Sequence, residues 1–321
     1  MIPFSVAGTG LYLPEQIETA AQLAGRIGRD ESWIIEVAGV AERRIADLPC
    51  EQMAAKAACM ALDGGPAPDV IINASLTPVQ LIPDTGVFVA KAMGLEGIQV
   101  FSVHATCLSF LVATQIAAGL LQSRSAHRVL VVSSEIASQY RDFSEPESAA
   151  LLGDGAAAAV FELPSPGADS ALLAFRMSTF PGGSHLAEFR GGGTRYPPDI
   201  AQYDPSLYLF HMQGTRLYRW SYARMRRFFD QFFEDAGFNP DDVDLVVPHQ
   251  VSGPVLAALR DFGFPDERVI NILSQTGNCV AASLPMALAT ANAQGRLKAG
   301  DTVLMIGTGA GVSIAAALLR W

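Results

Sequence analysis

The chain repeats one order of elements at a spacing near 175 residues, and few folds satisfy that. In the first half, Asp69-Val-Ile-Ile-Asn-Ala-Ser leads through a Pro-containing loop to a helix, a cysteine at a helix start, and the run Arg128 to Ser133. In the second half, Asp244-Leu-Val-Val-Pro-His-Gln leads to a helix, an asparagine at a helix start, and the run Thr302 to Ile306. Asp69 and Asp244 stand 175 residues apart, and Val129 and Val303 stand 174 apart. Two landmarks at nearly one offset read as duplicated halves. A Gly/Ala-rich strand closes each half, GDGAAAAVFEL from Gly153 and GTGAGVSIAAALLRW from Gly307.

The short runs Val70–Ile72, Val129–Val132, Leu245–Val247 and Thr302–Ile306 are apolar throughout, as strands buried on both faces must be. Ala-rich helical stretches lie between them: 50–63, 85–93, 108–122, 254–262 and 281–294. Strands alternating with helices indicate an α/β fold. The Pro/Gly/Ser cluster Leu163 to Gly167 divides the chain, so the domains are expected at 1–165 and 166–321. The segment 180–208 holds GGS, GGGT and PPD and is expected to be a functional loop.

Charge narrows the partners. Lys and Arg number 22 against 32 Asp and Glu, a net charge of -10, which disfavours nucleic acid and anionic membrane surfaces. The richest apolar stretch, Leu108 to Leu121, is too short to span a bilayer. The N-terminus lacks the basic region of a signal peptide, so a cytoplasmic location is expected. Four cysteines without a CxxC pair form no disulfide framework, and no cluster has metal-ligand spacing.

Three residues are the leading candidates for chemistry. Cys107, in His104-Ala-Thr-Cys-Leu-Ser-Phe, opens an apolar helical run. A helix N-terminus offers partial positive charge and free N–H groups, which lower a thiol pKa. That position suits a nucleophile, although a cysteine is also an ordinary core residue. His249, in Val246-Val-Pro-His-Gln, lies past the C-terminal end of a strand, where ligands bind in parallel sheets. It reads as an active-site histidine or as a hydrogen-bonded loop residue. His104 is a weaker candidate beside the cysteine, and His127 reads as solvated; His185 and His211 have no clear role. Asn278, in Gln275-Thr-Gly-Asn-Cys-Val-Ala-Ala-Ser, reads as an N-cap or as a donor to a developing oxyanion. Gly307-Thr-Gly-Ala-Gly is followed by a strand, not a helix, so it is no dinucleotide motif. It suits phosphate contact or a backbone N–H aimed at a reacting carbonyl.

Cysteine at a helix start, then PHQ, then GN-x-x-A-A-S, then a terminal G-x-G-x-G strand resembles the β-ketoacyl-acyl-carrier-protein synthase III family of the thiolase superfamily. Gly8-Thr-Gly-Leu-Tyr-Leu-Pro-Glu, Asp30-Glu-Ser-Trp-Ile, Gly39-Val-Ala-Glu-Arg-Arg-Ile-Ala, Gly153-Asp-Gly-Ala and Leu318-Leu-Arg-Trp extend the resemblance along the whole chain. It implies a duplicated α/β/α/β/α five-layer thiolase-like fold. It also implies a catalytic set of Cys107, His249 and Asn278. Cys107 takes an acyl group from a thioester; His249 and Asn278 stabilise the enolate of a decarboxylating malonyl thioester. Backbone N–H groups of Cys107 and Ala310 form the oxyanion hole. No cofactor or metal is implied, only acyl-coenzyme A or acyl-carrier-protein substrates, in fatty-acid-like or polyketide-type biosynthesis.

The departures bear on the donor. Thr106-Cys-Leu-Ser-Phe replaces the usual A-C-A-G-F, so Leu108 and Ser109 are expected to reshape the site beside the cysteine. Ser252 replaces an Asn near the pantetheine arm, and Trp33 is followed by Val37-Ala-Gly-Val instead of Arg-Thr-Gly-Ile. Pro146 and Glu147 stand where an Arg is expected, and Pro254 and Val255 where a basic residue faces the carrier. Arg216, Arg219, Arg224, Arg226 and Arg227 form the densest basic stretch, an expected docking face for an acidic carrier protein, or a solvated helix face. Gly191 to Pro198 reads as a lid or tunnel wall. The resemblance implies a homodimer in which Leu81, Ile82 and Pro83 reach the partner's acyl pocket. Leu81 and Ile82 carry no charge, which favours an apolar chain; Phe180, Phe189 and Met212 are further acyl-facing candidates. Two other readings compete: acyl transfer from Cys107 to a hydroxyl or amine, and a non-catalytic subunit. Release of carbon dioxide excludes the first, and labelling of Cys107 by an electrophile argues against the second.

Overall fold

The computed structural model describes residues 1–197 and 203–321. Its first sheet contains β1 (Ser5–Tyr12), β2 (Val70–Asn73), β3 (Gln99–Ser102), β4 (Arg128–Ile136) and β5 (Asp154–Glu162), in the order β1-β5-β4-β2-β3. The second contains β6 (Ala171–Thr179), β7 (Leu245–Pro248), β8 (Thr302–Gly309) and β9 (Ser313–Arg320), in the order β6-β9-β8-β7, with Ile2–Pro3 added at its edge. Four strands correspond in order, β1-β5-β4-β2 with β6-β9-β8-β7, while β3 and Ile2–Pro3 extend opposite edges. Val70 pairs with Val129 in one sheet and Leu245 with Val303 in the other, both parallel. The duplication is therefore in register.

Alternation along the strands builds five layers. Val129 and Val131 face a central core, whereas Leu130 and Val132 face an outer one; Val303 and Met305 against Leu304 and Ile306 do the same. The central layer holds α2 (Ser109–Gln122) and α4 (Ser283–Ala293), packed between the sheets. The outer layers carry α1 (Cys50–Leu62) on the first sheet and α3 (Gly214–Ala236) on the second. Alanines in β5 and β9 let the helices approach: Ala157, Ala159, Ala315 and Ala317 meet the central layer. One apolar core thus draws on both halves.

Several sequence expectations change at element ends. GTGAG is not one strand: Gly307 to Gly309 end β8, and β9 begins only at Ser313. The stretch 254–262 is α-helical only over Gly253–Ala257 and 3-10 from Ala258 to Phe262. The helix expected from Ala281 begins as a 3-10 turn, Val280–Ala282, before α4. The irregular 180–208 region contains the 3-10 turns Pro181–Leu186 and Pro205–Tyr208, and Ala187–Glu188 pairs with His211–Met212. Pro198, the last residue of the expected lid, lies outside the described residues, as do residues 199–202 of the irregular region. Leu163 to Gly167 links the first sheet to the second.

Candidate active site

Cys107 stands two residues before α2, on a turn held from three sides. Thr106 has φ of 52°, a left-handed conformation costly for a β-branched residue. Ser109 pins the turn: its hydroxyl donates to the Thr106 carbonyl at 2.6 Å and accepts from the Ala105 N–H at 3.0 Å. β8 supplies the floor. A Cβ on Gly309 would lie 2.4 Å from Thr106 Oγ1, and one on Gly307 would lie 2.9 Å from Leu108 Cδ2 and 3.0 Å from His249 Cβ. These glycines are spaces for the nucleophile turn and the histidine, which settles their role without a phosphate. Leu108 and Ser109 do not reshape the cavity as expected; both are fully buried behind the turn and fix it from the core.

The turn opens into a cavity of about 440 Å³ that Cys107, His249, Asn278 and Ala310 line together. Its other walls include Leu76, Leu152, Phe189, Phe210 and Val312. Phe189 and Met212 face it, whereas Phe180 packs on Trp220 elsewhere. The irregular region contributes Ser184, Ala187, Glu188 and Phe189, upstream of the glycine run that the sequence singled out. A second cavity of about 260 Å³ adjoins the first, sharing Leu151, Met212, Leu217, Ser221, Val251 and Thr308, and is lined at its far end by Trp33, Val37, Ser252 and Val255. It forms an entry tunnel.

Electrostatics here differ from the sequence expectation. Burial pushes the Cys107 thiol up to about 12, and the charge of Glu135 adds to this, while backbone N–H groups of Ala310 and of Cys107 itself pull the other way. This direction is opposite to the one a helix start suggests, because burial of the sulfur outweighs the N–H groups of Ala310 and Cys107. The thiolate is the reactive form, so alkylation of Cys107 by iodoacetamide should rise about tenfold per pH unit between about pH 7 and 9. Peptide mass mapping separates it from Cys59, which is exposed. A plateau below pH 8 would contradict a raised thiol.

His249 is 2% exposed, and burial alone holds it down at about 4. It is therefore neutral at pH 7. Nδ1 is buried without a hydrogen-bond partner among the described residues. A proton there would be an unsatisfied buried donor, so the favoured tautomer carries it on Nε2. Asn278 is oriented as clearly. Its Oδ1 accepts from the Val280 N–H at 2.9 Å and the Ser283 hydroxyl at 3.4 Å, and its Nδ2 donates to the Val251 carbonyl at 3.2 Å. One Nδ2 hydrogen remains for a ligand. The residue is thus both a local cap and a donor.

Two supporting residues escaped the sequence reading. Glu135, fully buried in β4, accepts from the Leu76 and Thr77 N–H groups and from the Thr77 hydroxyl at 2.6 Å, and burial pushes it up to about 7. It ties a wall of the cavity to the strand beneath. The only available signal was one charge inside an apolar run. Arg43, also fully buried, donates to the Ala150 carbonyl at 2.8 Å and pairs with Glu18. It packs under the crossing where the Asn278 N–H meets the Leu151 carbonyl at 2.8 Å.

The remaining candidates are dispersed. Trp33 and Ser252 line the tunnel. Leu81 and Ile82 are 80% and 82% exposed and line neither cavity of this chain. His104 sits exposed on the cavity rim; His127 is exposed beside Asp69, and His185 is exposed. His211 pairs with Glu145. On α3, Met225, Phe228, Phe229 and Phe232 are buried, and Arg216, Arg219, Arg226 and Arg227 are exposed. Arg224 is held apart, its guanidinium 3.3 Å over the Trp220 ring. Among the described residues no cluster suits a metal, and no helix is long and apolar enough to cross a membrane.

The chain is similar to known proteins over nearly its whole length. Residues 101–180 match the family model described as 3-oxoacyl-[acyl-carrier-protein] synthase III, and residues 233–321 match its C-terminal counterpart. A β-ketoacyl-[acyl-carrier-protein] synthase III of Syntrophomonas wolfei is 33% identical, over 98% of this chain and 97% of its own. The crystal structure of 3-oxoacyl-(acyl carrier protein) synthase III from Pseudomonas aeruginosa superposes with a TM-score of 0.89 at 30% identity, covering 99% and 98% of the two chains. The priming β-ketosynthase of the R1128 polyketide pathway gives 0.88 at 29% identity, covering 99% and 96%.

Proposed function

The chain belongs to the 3-oxoacyl-[acyl-carrier-protein] synthase III family of condensing enzymes, and on that premise we propose how its own residues divide the reaction. Cys107 Sγ attacks the carbonyl of an acyl thioester. The donor C–S bond breaks, the acyl group passes to sulfur, and the thiol proton leaves with the departing thiol. A malonyl thioester then enters. Its C–C bond to the carboxylate breaks, carbon dioxide leaves, and the electron pair forms an enolate. Nε2–H of His249 and Nδ2–H of Asn278 donate to that enolate oxygen. The carbanion attacks the acyl-Cys107 carbonyl, whose oxyanion is held by the backbone N–H groups of Cys107 and Ala310. Collapse breaks the thioester to Cys107, whose sulfur leaves as a thiolate and takes a proton from solvent, and releases a β-ketoacyl thioester.

The observation that carries this reading is the paired neutral donors. A histidine held at about 4 and an asparagine fixed by Val280 offer hydrogen bonds without a competing charge. Such donors suit a developing oxyanion in a dry cavity. Transfer to a hydroxyl calls for a base to take its proton, and a histidine held at about 4 is a weak one, so condensation is favoured. The apolar walls at Leu152, Phe189 and Phe210 suit an apolar acyl chain. The exposed arginines of α3 suit an acidic carrier protein, and the exposed Leu81 and Ile82 suit burial in a homodimer.

The test is to incubate the protein with a panel of acyl thioesters and weigh it intact. One adduct of acyl mass, mapped to Cys107, is expected from at least one donor. Adding malonyl-carrier protein should release carbon dioxide and discharge the adduct as a β-ketoacyl thioester. Discharge to an alcohol or amine without carbon dioxide favours simple transfer instead, and no adduct from a folded protein overturns the reading.

A further inference from the structure

The charge around the entry tunnel is inverted relative to what a nucleotide needs. Coenzyme A carries its thiol on a pantetheine arm ending in a pyrophosphate, a ribose and a 3′-phosphate. Phosphate recognition calls for guanidinium or ammonium groups, or for a helix N-terminus. Among the described residues the tunnel is lined by no Lys, Arg or His. Its mouth presents Trp33, Val37, Tyr218 and Val255 instead, with Val37 40% exposed. Arg29 stands over the Trp33 ring, 5.2 Å from its centroid, and is not part of the lining.

One anion-favouring feature does open on the tunnel, and the protein blocks it. Gly214 and Thr215, the first residues of the 23-residue α3, line the mouth. Helix starts attract anions through the macrodipole and free N–H groups. The Glu147 carboxylate already lies there: a Cβ on Gly214 would be 2.8 Å from its Oε2. Glu147 is exposed, lines the tunnel, and has no cation within 4 Å among the described residues. An entering phosphate meets a carboxylate. The first cations of the same helix, Arg216 and Arg219, are exposed and do not line the tunnel.

We propose, resting on the condensing-enzyme reading above, that the acyl donor of this protein is a phosphopantetheine thioester on an acidic carrier protein, and that the nucleotide of coenzyme A contributes nothing to its binding. A tunnel whose one charged lining residue is Glu147 accepts the arm with its single phosphodiester, which meets less repulsion than a pyrophosphate and a 3′-phosphate, and surface arginines meet the carrier. Glu147 is the specificity-determining residue that discriminates against the nucleotide.

The experiment compares one acyl group on three donors: coenzyme A, phosphate-free pantetheine and a phosphopantetheinylated carrier protein. Acylation of Cys107 is timed by intact mass to give kcat/KM. The carrier should exceed pantetheine by about tenfold or more, and coenzyme A should not exceed pantetheine. E147R should raise the ratio of coenzyme A to pantetheine by about tenfold, the scale of one charge-assisted phosphate contact. A wild-type preference for coenzyme A over pantetheine of about tenfold overturns the inference and leaves the condensing reading intact. So does a carrier no better than pantetheine. Failure of all three donors overturns the reading of the site itself, and this inference with it.

Discussion

Cys107→Ala abolishes the acyl adduct and lowers condensation by on the order of 10⁴ to 10⁶, the range seen when a nucleophile is removed from an assembled site. Malonyl decarboxylation persists in the same variant, because its two donors are untouched. The separation follows from geometry. Asn278 is fixed by Val280 and Val251, and His249 lies against Gly307, so neither depends on the Cys107 side chain for its position. The turn itself is held by Ser109 and β8. Intact mass after a thioester pulse reads the first half-reaction, and labelled carbon dioxide from malonyl-carrier protein reads the second. An adduct that survives in Cys107→Ala would move the nucleophile elsewhere and undo the assignment.

His249→Ala gives the opposite split. Cys107 still loads, whereas decarboxylation falls by about 10² to 10³, the usual cost of one oxyanion-type donor. Acyl-enzyme therefore accumulates to one equivalent and stays. Asn278→Ala shows the same accumulation with a lower melting temperature, because Asn278 Oδ1 also satisfies the Val280 N–H and the Ser283 hydroxyl. The pH profile follows from the lowered histidine. With His249 held at about 4, the neutral donor persists throughout pH 5 to 8, so wild-type decarboxylation should be flat there. The sign for stability also follows. The folded pKa lies below the ordinary value of 6.5, so the unfolded chain binds the proton first, and this site's contribution declines as pH falls from about 6.5 towards 4. A decarboxylation rate that halves near pH 6.5 would mean an ordinary, solvated histidine.

The sequence by itself determined the frame. Runs such as Val129–Val132 and Val303–Ile306 are apolar on both faces because helices cover both sides of each sheet, and that is legible residue by residue. The 174-residue offset survives in register because both pairs, Val70 with Val129 and Leu245 with Val303, are set by the same local pattern. Cys107, His249 and Asn278 stood out because each sits at an element end with a local motif around it, and the fold gathers all three on one cavity. Tertiary structure alone decided what those residues experience. The thiol is raised instead of lowered because desolvation sums over every neighbour that excludes water, and most of those neighbours are distant in sequence. Leu108 proved structural because β8, some 200 residues later, lies against it, and Ser109 because its hydroxyl is committed to Thr106 and Ala105. Glu135 and Arg43 joined the site through buried hydrogen bonds to other segments, which no spacing encodes. The tunnel's charge belongs to the same class: Glu147 and Gly214 meet only because α3 starts where the chain crosses back over residue 147, and a field depends on distance in space, not along the chain.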